Sequence, residues 1–556
     1  MSVHVPERGD PSWAGLPAWA TTFRDVQVQA VAEVLEAFEA GAKVVMLDAP
    51  TGTGKTLIAE MVRAQLDEGG VRGVYVCSTK TLQDQFARDF DAAVLKGRAN
   101  YPTEHGGGKV TADDCTGNAC VWCTGVDTCP YQVARGRFDG AGIGCTNTAY
   151  LLGQVNNTRP DKAITARRGL VTIDECDELE GVLVGQAGLN VGSRQLDAYG
   201  LRRLKKGAHG PTVVAWLEEG AGIVGGYAKQ QLKARDVEGR RKAKRAMRLA
   251  AEMDYIAGDM DENPEEWIRD YSDRDAGRVI LKPVRVGRYA SEMLWRHADR
   301  WLCMSATILS PDQWAEDVGL EDEAWSYVTV PMGFHVDNRP IIVAPIADMG
   351  RKGAGTWEER ITKMASGIAR VLDTHGEGVN TLVHTVSYNL AADLVKELTG
   401  KRPARGHEGA WQATMRTPEG RRINVHTYMG AAGRDEAVDA FKRDGGVIVA
   451  SSLERGVDLI GDLCRVVIVA KVPYPNMGDR RTATRMRLAG GRSWYATHTA
   501  RSIVQMTGRG VRSHDDWATT YIFDGQFPKF WKQWRQLLPK WWRDAVEVRR
   551  SQEYVR

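Results

Sequence analysis

The chain has 556 residues, too many for a single hydrophobic core, so we expect several domains. Apolar residues make up 43% and charged residues 26%, as in ordinary globular proteins, and the net charge is only +3. A nucleic-acid surface would therefore have to be a local basic patch. The polar N-terminal segment MSVHVPERGD lacks a signal-peptide core, and no apolar run is long enough to cross a bilayer. We expect a cytoplasmic protein, in a bacterial cell or a virus-infected host, with reduced cysteines.

A phosphate-binding loop is predicted near the N-terminus. An apolar run typical of a buried strand leads into DAPTGTGKT, and an amphipathic helix follows. Glycines let backbone N–H groups approach phosphate oxygens, and the helix N-terminus attracts the same anion. Lys55 would reach the β- and γ-phosphates, and Thr56 would bind Mg²⁺. The predicted ATP- or GTP-binding loop comprises Ala49, Pro50, Thr51, Gly52, Thr53, Gly54, Lys55 and Thr56.

Four of the nine cysteines lie close together in the segment CTGNACVWCTGVDTCPY. Clustered thiols in a reducing compartment bind metals more often than they form disulfides. The spacing alone leaves a [4Fe–4S] cluster and a structural zinc ion as near-equal alternatives. The predicted ligands are Cys115, Cys120, Cys123 and Cys129. The remaining cysteines lie in apolar runs or motif strands and are predicted to be core residues: Cys77, Cys145, Cys176, Cys303 and Cys464.

Two acidic residues follow a second apolar run. The segment GLVTIDECDE places Asp174 and Glu175 directly after a predicted strand. Asp174 could hold Mg²⁺, and Glu175 could polarise the attacking water in phosphoryl transfer. Acidic residues at a strand end are more often simply solvated, so this interpretation depends on the phosphate-binding loop.

Between about residues 179 and 284 the strands disappear and charged helical stretches dominate. Residues 229–248 carry nine Lys or Arg against two acidic residues. This pattern leaves open both a solvated helix and a surface for nucleic-acid phosphates.

The segment QMTGRGVR predicts a second group that contacts phosphates. Gln505, Arg509 and Arg512 are spaced at i, i+4 and i+7, on one face of a helix. Gly508 and Gly510 would weaken an ordinary surface helix and favour a backbone close to a ligand. Arginines brought from a second domain onto a γ-phosphate stabilise the transition state of phosphoryl transfer.

Short apolar runs alternate with helical patterns on both sides of the charged region. Such runs lie at 74–77, 301–304, 381–384, 447–450 and 466–469. This alternation predicts parallel α/β sheets, here two of them. In the C-terminal segment FPKFWKQWRQLLPKWW the aromatic residues recur at helical spacing, which favours packing on the second sheet over stacking on unpaired bases.

The order of these segments resembles the superfamily 2 helicases of the iron–sulfur XPD/DinG type. FRDVQ resembles the family's Q motif, APTGTGKT motif I, STKTLQDQ motif Ia, DECD motif II, SAT motif III, LVHTVS motif IV, ERGVDLIGD motif V and QMTGRGVR motif VI. The matches extend from about Phe23 to Asp524, and their order is more specific than any one motif. The resemblance implies an α/β fold with two RecA-like motor domains. The first would carry a small iron–sulfur insertion and a mainly helical arch insertion.

The resemblance also implies domain boundaries and site residues. Motor domain 1 would comprise 1–95, 146–180 and 286–312, the cluster domain 96–145, the arch 181–285, and motor domain 2 313–556. Gln27 would lie near the adenine, and Asp458 in the nucleotide site. The residues implied in ATP hydrolysis are Lys55, Asp174, Glu175, Gln505, Arg509 and Arg512.

Two departures from the family pattern concern the metal segment and motif II. The family's cluster domain lies between motifs Ia and II, which favours [4Fe–4S] over zinc. Thr103 stands where the family has its first cysteine, so we expect Cys115 to replace that ligand. Cys176 and Asp177 stand where the family usually has Ala-His, which questions how hydrolysis is coupled to strand movement.

The resemblance implies an ATP-dependent DNA helicase that uses Mg-ATP to move along single-stranded DNA, with 5′→3′ polarity, and to unwind forked duplex DNA. We expect it to act as a monomer. Two alternatives stay open: a translocase that does not separate strands, and a non-enzymatic nucleic-acid scaffold with a vestigial ATP site.

Overall fold

The computed structural model describes most of the chain. The described residues are 16–66, 70–103, 111–115, 129–233, 237–270, 277–404, 408–451, 453, 457, 459, 461–508, 510–511 and 516–555. Within them the chain forms two lobes, each built on a mainly or wholly parallel sheet, and an insertion in the first lobe.

Strands and helices alternate through the first part of the chain. They are α1 (Asp25–Glu39), β1 (Val44–Asp48), α2 (Lys55–Gln65), β2 (Gly73–Cys77), α3 (Lys80–Phe90), β3 (Ala93–Val94), α4 (Pro130–Gly140), β4 (Ile143–Asn147), α5 (Thr148–Asn157), β5 (Leu170–Asp174) and α6 (Leu179–Ala187). After the insertion the lobe is completed by α10 (Gly287–Met293), β9 (Trp301–Ser305), α11 (Pro311–Asp317) and β10 (Trp325–Thr329).

The first-lobe sheet has seven strands in the order β10-β1-β9-β5-β2-β4-β3, and all of its pairings are parallel. Its strands are apolar on both faces: Val44 and Met46 pack in one core, while Val45 and Leu47 pack in the other. This double burial explains why the strands are continuous apolar runs in the sequence. Strand β10 pairs with β1, so the first-lobe sheet extends past the predicted boundary at residue 312.

The insertion contains two long helices and a small sheet. Its elements are β6 (Leu189–Val191), α7 (Ser193–Tyr199), α8 (Pro211–Lys233), α9 (Val237–Glu262), β7 (Trp267–Asp270) and β8 (Val279–Pro283). Helices α8 and α9 pack against each other, with Val224 and Met253 among their buried residues. The strands form an antiparallel sheet in the order β6-β8-β7, which the sequence did not predict.

The second lobe begins with β11 and continues to the C-terminus. Its elements are β11 (Ile341–Ala347), α12 (Trp357–His375), β12 (Thr381–His384), α13 (Tyr388–Thr399), β13 (Gly409–Arg416), β14 (Arg422–Met429), α14 (Arg434–Asp444), β15 (Val447–Ala450), β16 (Val466–Val469), α15 (Arg480–Arg485), α16 (Gly491–Thr507), β17 (Thr519–Asp524), α17 (Phe527–Trp534), α18 (Lys540–Asp544), β18 (Val546–Val548) and α19 (Gln552–Val555).

The second-lobe sheet has eight strands in the order β13-β14-β15-β12-β16-β17-β11-β18. Only the hairpin pair β13–β14 is antiparallel. The two parallel-sheet lobes confirm the predicted fold class. Phe530 is buried in the core of this lobe, with Trp534 and Leu537 packed against the same cluster, as their spacing predicted. Among the described helices, none combines the length and the apolar character needed to span a bilayer.

Candidate nucleotide site between the two lobes

The loop between β1 and α2 has the backbone that phosphate binding requires. Gly52 and Gly54 have φ angles of 84° and 83°, in the left-handed region. A Cβ atom at Gly54 would lie 2.5 Å from the side-chain nitrogen of Gln27, so a larger residue would be both strained and obstructed. Helix α2 begins at Lys55 and points its N-terminus at the loop.

Gln27 of helix α1 forms hydrogen bonds that hold the phosphate-binding loop. Its Nε2 donates to the carbonyl of Thr53 over 2.9 Å, and its Oε1 accepts from the backbone N–H of Arg24. The Arg24 side chain donates to the carbonyl of Gly52 over 2.8 Å. The Gln27 amide thus fixes the loop from helix α1, while its predicted contact with adenine stays a prediction.

Thr56 and Asp174 meet at the hydroxyl group of Tyr75 on β2. The Tyr75 hydroxyl lies 3.4 Å from Thr56 Oγ1 and also forms a hydrogen bond with Asp174. Burial raises the pKa of Asp174, and the charge of Lys55 opposes that rise. A hydroxyl and a carboxylate oxygen brought together in this way are the hard donors that Mg²⁺ binds, so the residues fit the predicted ion.

Glu175 has a strained backbone. Its φ of 51° places it in the left-handed region, which is uncommon for a residue other than glycine, and its N–H donates to Asp174 Oδ1 over 3.0 Å. Such strain costs on the order of 1–3 kcal/mol and is concentrated at functional sites. The chain therefore turns at Glu175, directly after the end of β5 at Asp174.

Asp177 is the site residue whose role the sequence analysis missed. It is 5% exposed, and its carboxylate accepts hydrogen bonds from Ser305 Oγ over 2.7 Å and from Thr307 Oγ1 over 3.0 Å. It also accepts from Gln505 Nε2 of the second lobe over 3.1 Å, and the same nitrogen donates to Thr307 Oγ1 over 2.8 Å. Asp177 therefore joins motifs II, III and VI. Its departure from the family's histidine was the available signal.

The prediction of one helical face for motif VI is wrong. Helix α16 ends at Thr507, and the described residues Gly510 and Val511 are not helical. Gly508 approaches the loop of the first lobe, where an added Cβ would lie 3.8 Å from Thr51 Oγ1. Gly510 instead packs against Ala518, because an added Cβ would lie 2.0 Å from the Ala518 Cβ.

The facing surfaces of the two lobes line one cavity. Its lining includes Thr51 and Thr307 from the first lobe and Gln505 and Gly508 from the second. Near this cavity, Thr56 and Lys55 lie beside Asp174, Glu175 follows Asp174 in the chain, and Gln505 reaches motif II through Asp177. Three other predicted site residues, Arg509, Arg512 and Asp458, lie outside the described residues, and their roles stay predictions.

Two of the four predicted metal ligands, Cys115 and Cys129, lie within the described residues. Cys129 is 7% exposed and occupies the N-cap position of α4. The carbonyl of Cys115 accepts from Arg98 Nη2 over 3.4 Å and from Lys244 Nζ over 3.1 Å. Cys120 and Cys123 lie outside the described residues.

The remaining cysteines behave as predicted for core residues. All are buried, and the seven cysteines that the structure describes form no disulfide with one another. The buried set is Cys77, Cys145, Cys176, Cys303 and Cys464.

Comparisons with known proteins give two matches to domain families. Residues 369–545 match the helicase C-terminal domain, and residues 20–176 match the type III restriction enzyme res subunit. These matches fall on the second lobe and on the first lobe before the insertion.

Curated relatives match at low identity. The ATP-dependent DNA helicase DinG of Photobacterium profundum is 22% identical over 273 residues, covering 46% of this chain and 36% of the relative. The regulator of telomere elongation helicase 1 homolog of Caenorhabditis elegans is 22% identical over 234 residues, covering 37% of this chain and 23% of the relative. The matched part therefore spans only about a quarter to a third of these relatives.

Solved structures show the same fold across both lobes. An XPD helicase aligns over 95% of this chain and 100% of its own, with a TM-score of 0.59 and 13% identity. Xpd4 of S. tokodaii aligns over the same shares, with a TM-score of 0.55 and 14% identity. With the order of the motifs and the domain matches, these findings confirm the resemblance to the superfamily 2 helicases of the XPD/DinG type.

Proposed function

We propose that this chain is an ATP-dependent DNA helicase that moves along single-stranded DNA and separates duplex strands. The observation that carries the proposal is the contact of Gln505 with Asp177 and Thr307, because it joins the second lobe to the hydrolytic motif of the first. A change at the nucleotide would alter this contact and so move one lobe against the other. The helicase domain matches and the relatives named ATP-dependent DNA helicases support the same activity.

The side chains divide the work of ATP hydrolysis. The loop N–H groups and Lys55 would hold the phosphates, and Thr56 and Asp174 would hold Mg²⁺, which would neutralise charge on the phosphate oxygens. Glu175 orients the attacking water and takes up its proton. Arg509 and Arg512 would stabilise charge on the γ-phosphate from the second lobe.

The DNA path follows the basic face of the insertion. On α9, Lys242, Arg245 and Arg248 are exposed, whereas Ala246 and Leu249 are buried on the opposite face. Phosphate contacts from such a face need no base sequence. Lys244 reaches the carbonyl of Cys115, so the insertion touches the cysteine segment and could enclose a strand with it.

We further propose that Cys115, Cys120, Cys123 and Cys129 hold a [4Fe–4S] cluster, with zinc as the alternative ion. The buried Cys129 at a helix N-terminus supports metal ligation and does not distinguish the two. The 5′→3′ polarity, a preference for forked duplexes, a monomeric state and a cytoplasmic location stay predictions.

Strand displacement tests the proposed function directly. A forked duplex with a labelled strand is incubated with the protein and Mg-ATP, and with the Lys55→Ala variant as control. We expect displaced strand only with ATP and only for the unmodified protein. Failure to displace a strand while ATP-dependent removal of streptavidin from biotinylated single strands persists would support the translocase. DNA binding with no hydrolysis of ATP would support the scaffold.

A further inference from the structure

A buried charged cluster lies where the second lobe meets the root of the insertion. Glu180, in the first turn of α6, follows motif II closely and is 4% exposed. Its carboxylate accepts hydrogen bonds from Arg481 Nη2, from Trp494 Nε1 over 3.1 Å and from His498 Nε2 over 3.2 Å. All three donors belong to the second lobe.

Arg481 makes a second contact with the insertion. Its Nε donates to the carbonyl of Pro283 over 3.2 Å, at the last residue of β8. Helix α15, which carries Arg481, also packs against β7. Glu180 lies in α6, the helix that leads from the first lobe into β6 of the insertion, and the chain leaves the insertion just after Pro283. The guanidinium group of Arg481 therefore contacts the chain near both ends of the insertion.

Helix α16 connects this cluster to the nucleotide site. Trp494 and His498 lie in its first half, and Gln505 lies near its end. The helix is continuous over 17 residues, so a displacement that breaks the Gln505 contact with Asp177 also moves the donors to Glu180. Helix α16 thus contacts Asp177 of motif II near its C-terminal end and Glu180, at the root of the insertion, in its first half.

The carboxylate of Glu180 is a buried charge that depends on its partners for compensation. Burial acts to raise the pKa of Glu180, but the hydrogen bond from His498 and the charge and hydrogen bond of Arg481 outweigh it and hold that pKa well below its ordinary value. Glu180 is therefore ionised at neutral pH, and removing Arg481 would leave a buried carboxylate with weaker compensation.

A metal ion is the rival explanation of the cluster. Glu180, Asp317 and His498 offer ligand atoms within 4.8 Å of one another. However, Arg481 already pairs with Glu180, and Arg485 pairs with Asp317 over 2.9 Å. Burial and the neighbouring Glu180 raise the pKa of Asp317 to about 7, and the charge of Arg485 opposes that rise. Two cations in the cluster disfavour a third.

We propose that Arg481 is a positioning residue that transmits movement of the second lobe to the insertion, so that the nucleotide in the cleft sets how tightly the insertion holds single-stranded DNA. This inference rests on the proposed function, because it assumes that the insertion contacts DNA. Arg481 contacts Glu180 and Pro283 and does not line the cavity between the lobes in the described part of the chain, so its substitution should leave the chemistry of the cleft intact.

The test compares DNA affinity in two nucleotide states. Anisotropy of a labelled single-stranded oligonucleotide gives the Kd with ADP and with a non-hydrolysable ATP analogue. Coupling between two sites typically changes affinity by about 5- to 150-fold, and we expect Arg481→Ala to bring the ratio of the two Kd values within about twofold of one. The control is Arg487→Ala, which removes an equal charge from an exposed position two residues beyond α15.

Further measurements separate coupling from loss of structure. Without DNA, kcat and KM for ATP should change by less than about twofold in Arg481→Ala, because the cleft residues are intact. Glu180→Gln should also bring the ratio of the two Kd values closer to one. In the double variant Glu180→Gln/Arg481→Ala, the change in this ratio should be no greater than the larger change seen in either single variant. If Arg481→Ala does not fold, Glu180→Gln carries the test.

An unchanged Kd ratio in a folded Arg481→Ala protein would overturn the inference. A ratio of one in the unmodified protein would overturn it as well, even if ATP hydrolysis and DNA binding were both present. A stoichiometric metal ion that is lost in His498→Ala would show that the cluster is a metal site, and would also overturn the inference. Absence of ATP hydrolysis or DNA binding in the unmodified protein would instead refute the proposed function.

Discussion

The nucleotide cleft and the cysteine segment fix their functional side chains by different means. In the cleft, other protein groups hold the described residues: Tyr75 joins Thr56 to Asp174, and Asp177 joins Gln505 to motif III. All of these contacts are between protein groups, and such contacts hold functional side chains in position.

The described contacts of the cysteine segment involve its backbone. The Cys115 carbonyl accepts hydrogen bonds from Arg98 and Lys244, and Cys129 occupies the N-cap position of α4. Sites of clustered thiols rarely form fully before their metal ion binds. We therefore expect the metal to define the geometry of this segment, whereas the cleft takes its geometry from the protein.

The largest expected effect concerns the cleft. Lys55→Ala should reduce ATP hydrolysis to background while binding of single-stranded DNA persists, because the phosphate charge partner is lost and the basic face of α9 is untouched. Hydrolysis is measured by phosphate release and DNA binding by anisotropy. Equal loss of both would show that the cleft and the DNA surface are not separate.

Glu175→Gln should preserve binding of Mg-ATP but slow turnover by a factor on the order of 10² or more, since the water loses its base while Asp174 keeps the metal. Nucleotide affinity and single-turnover rates distinguish the two steps. Turnover near that of the unmodified protein would remove Glu175 from the mechanism.

The cysteine segment should respond in the opposite way, losing its metal without losing hydrolysis. Protein purified anaerobically should be brown and contain about four irons per chain, and Cys115→Ser should lose them. Basal hydrolysis should persist in that variant, because the cleft lies in another part of the fold. Strand separation should fail, because the cysteine segment loses its structure without the metal.

Cys145→Ala and Thr103→Ala serve as matched controls that should keep the iron. Cys145 is buried in strand β4, and Thr103 stands at the position of the absent family ligand. Stoichiometric zinc without iron would replace the cluster with a zinc site and leave the motor unchanged.

A smaller effect is expected where the two lobes meet. Asp177→Asn removes the charge from three hydrogen bonds, and a bond to a charged group contributes about 1.5–3 kcal/mol. We expect DNA-stimulated hydrolysis to fall about tenfold, with a smaller change in the basal rate. A matched fall in both rates would place Asp177 in the chemistry and not in the coupling of the lobes.

The elements around the cleft could be predicted because their signals are local. Buried parallel strands appear as continuous apolar runs, and Gly52 and Gly54 mark a loop with left-handed backbone. The partners of Asp177 could not be predicted, because Ser305 and Gln505 lie 128 and 328 residues away in the chain. No local pattern encodes such contacts.

Three further structural features could not be predicted from the sequence, because each depends on more than a local pattern. Strand β10 joins the first-lobe sheet only through its tertiary pairing with β1, beyond the predicted boundary. The short strands β6, β7 and β8 are too brief for a clear alternation between buried and exposed residues. The helical spacing of motif VI suggested a continuous helix, but α16 ends at Thr507 as Gly508 turns towards the phosphate-binding loop.

The rate of ATP hydrolysis with and without single-stranded DNA tests the central claim most directly. We predict a measurable basal rate that rises when the DNA is added, and no rise in Lys55→Ala. No hydrolysis in either condition, or an equal rate in both, would contradict an ATP-driven motor whose two lobes are coupled to DNA.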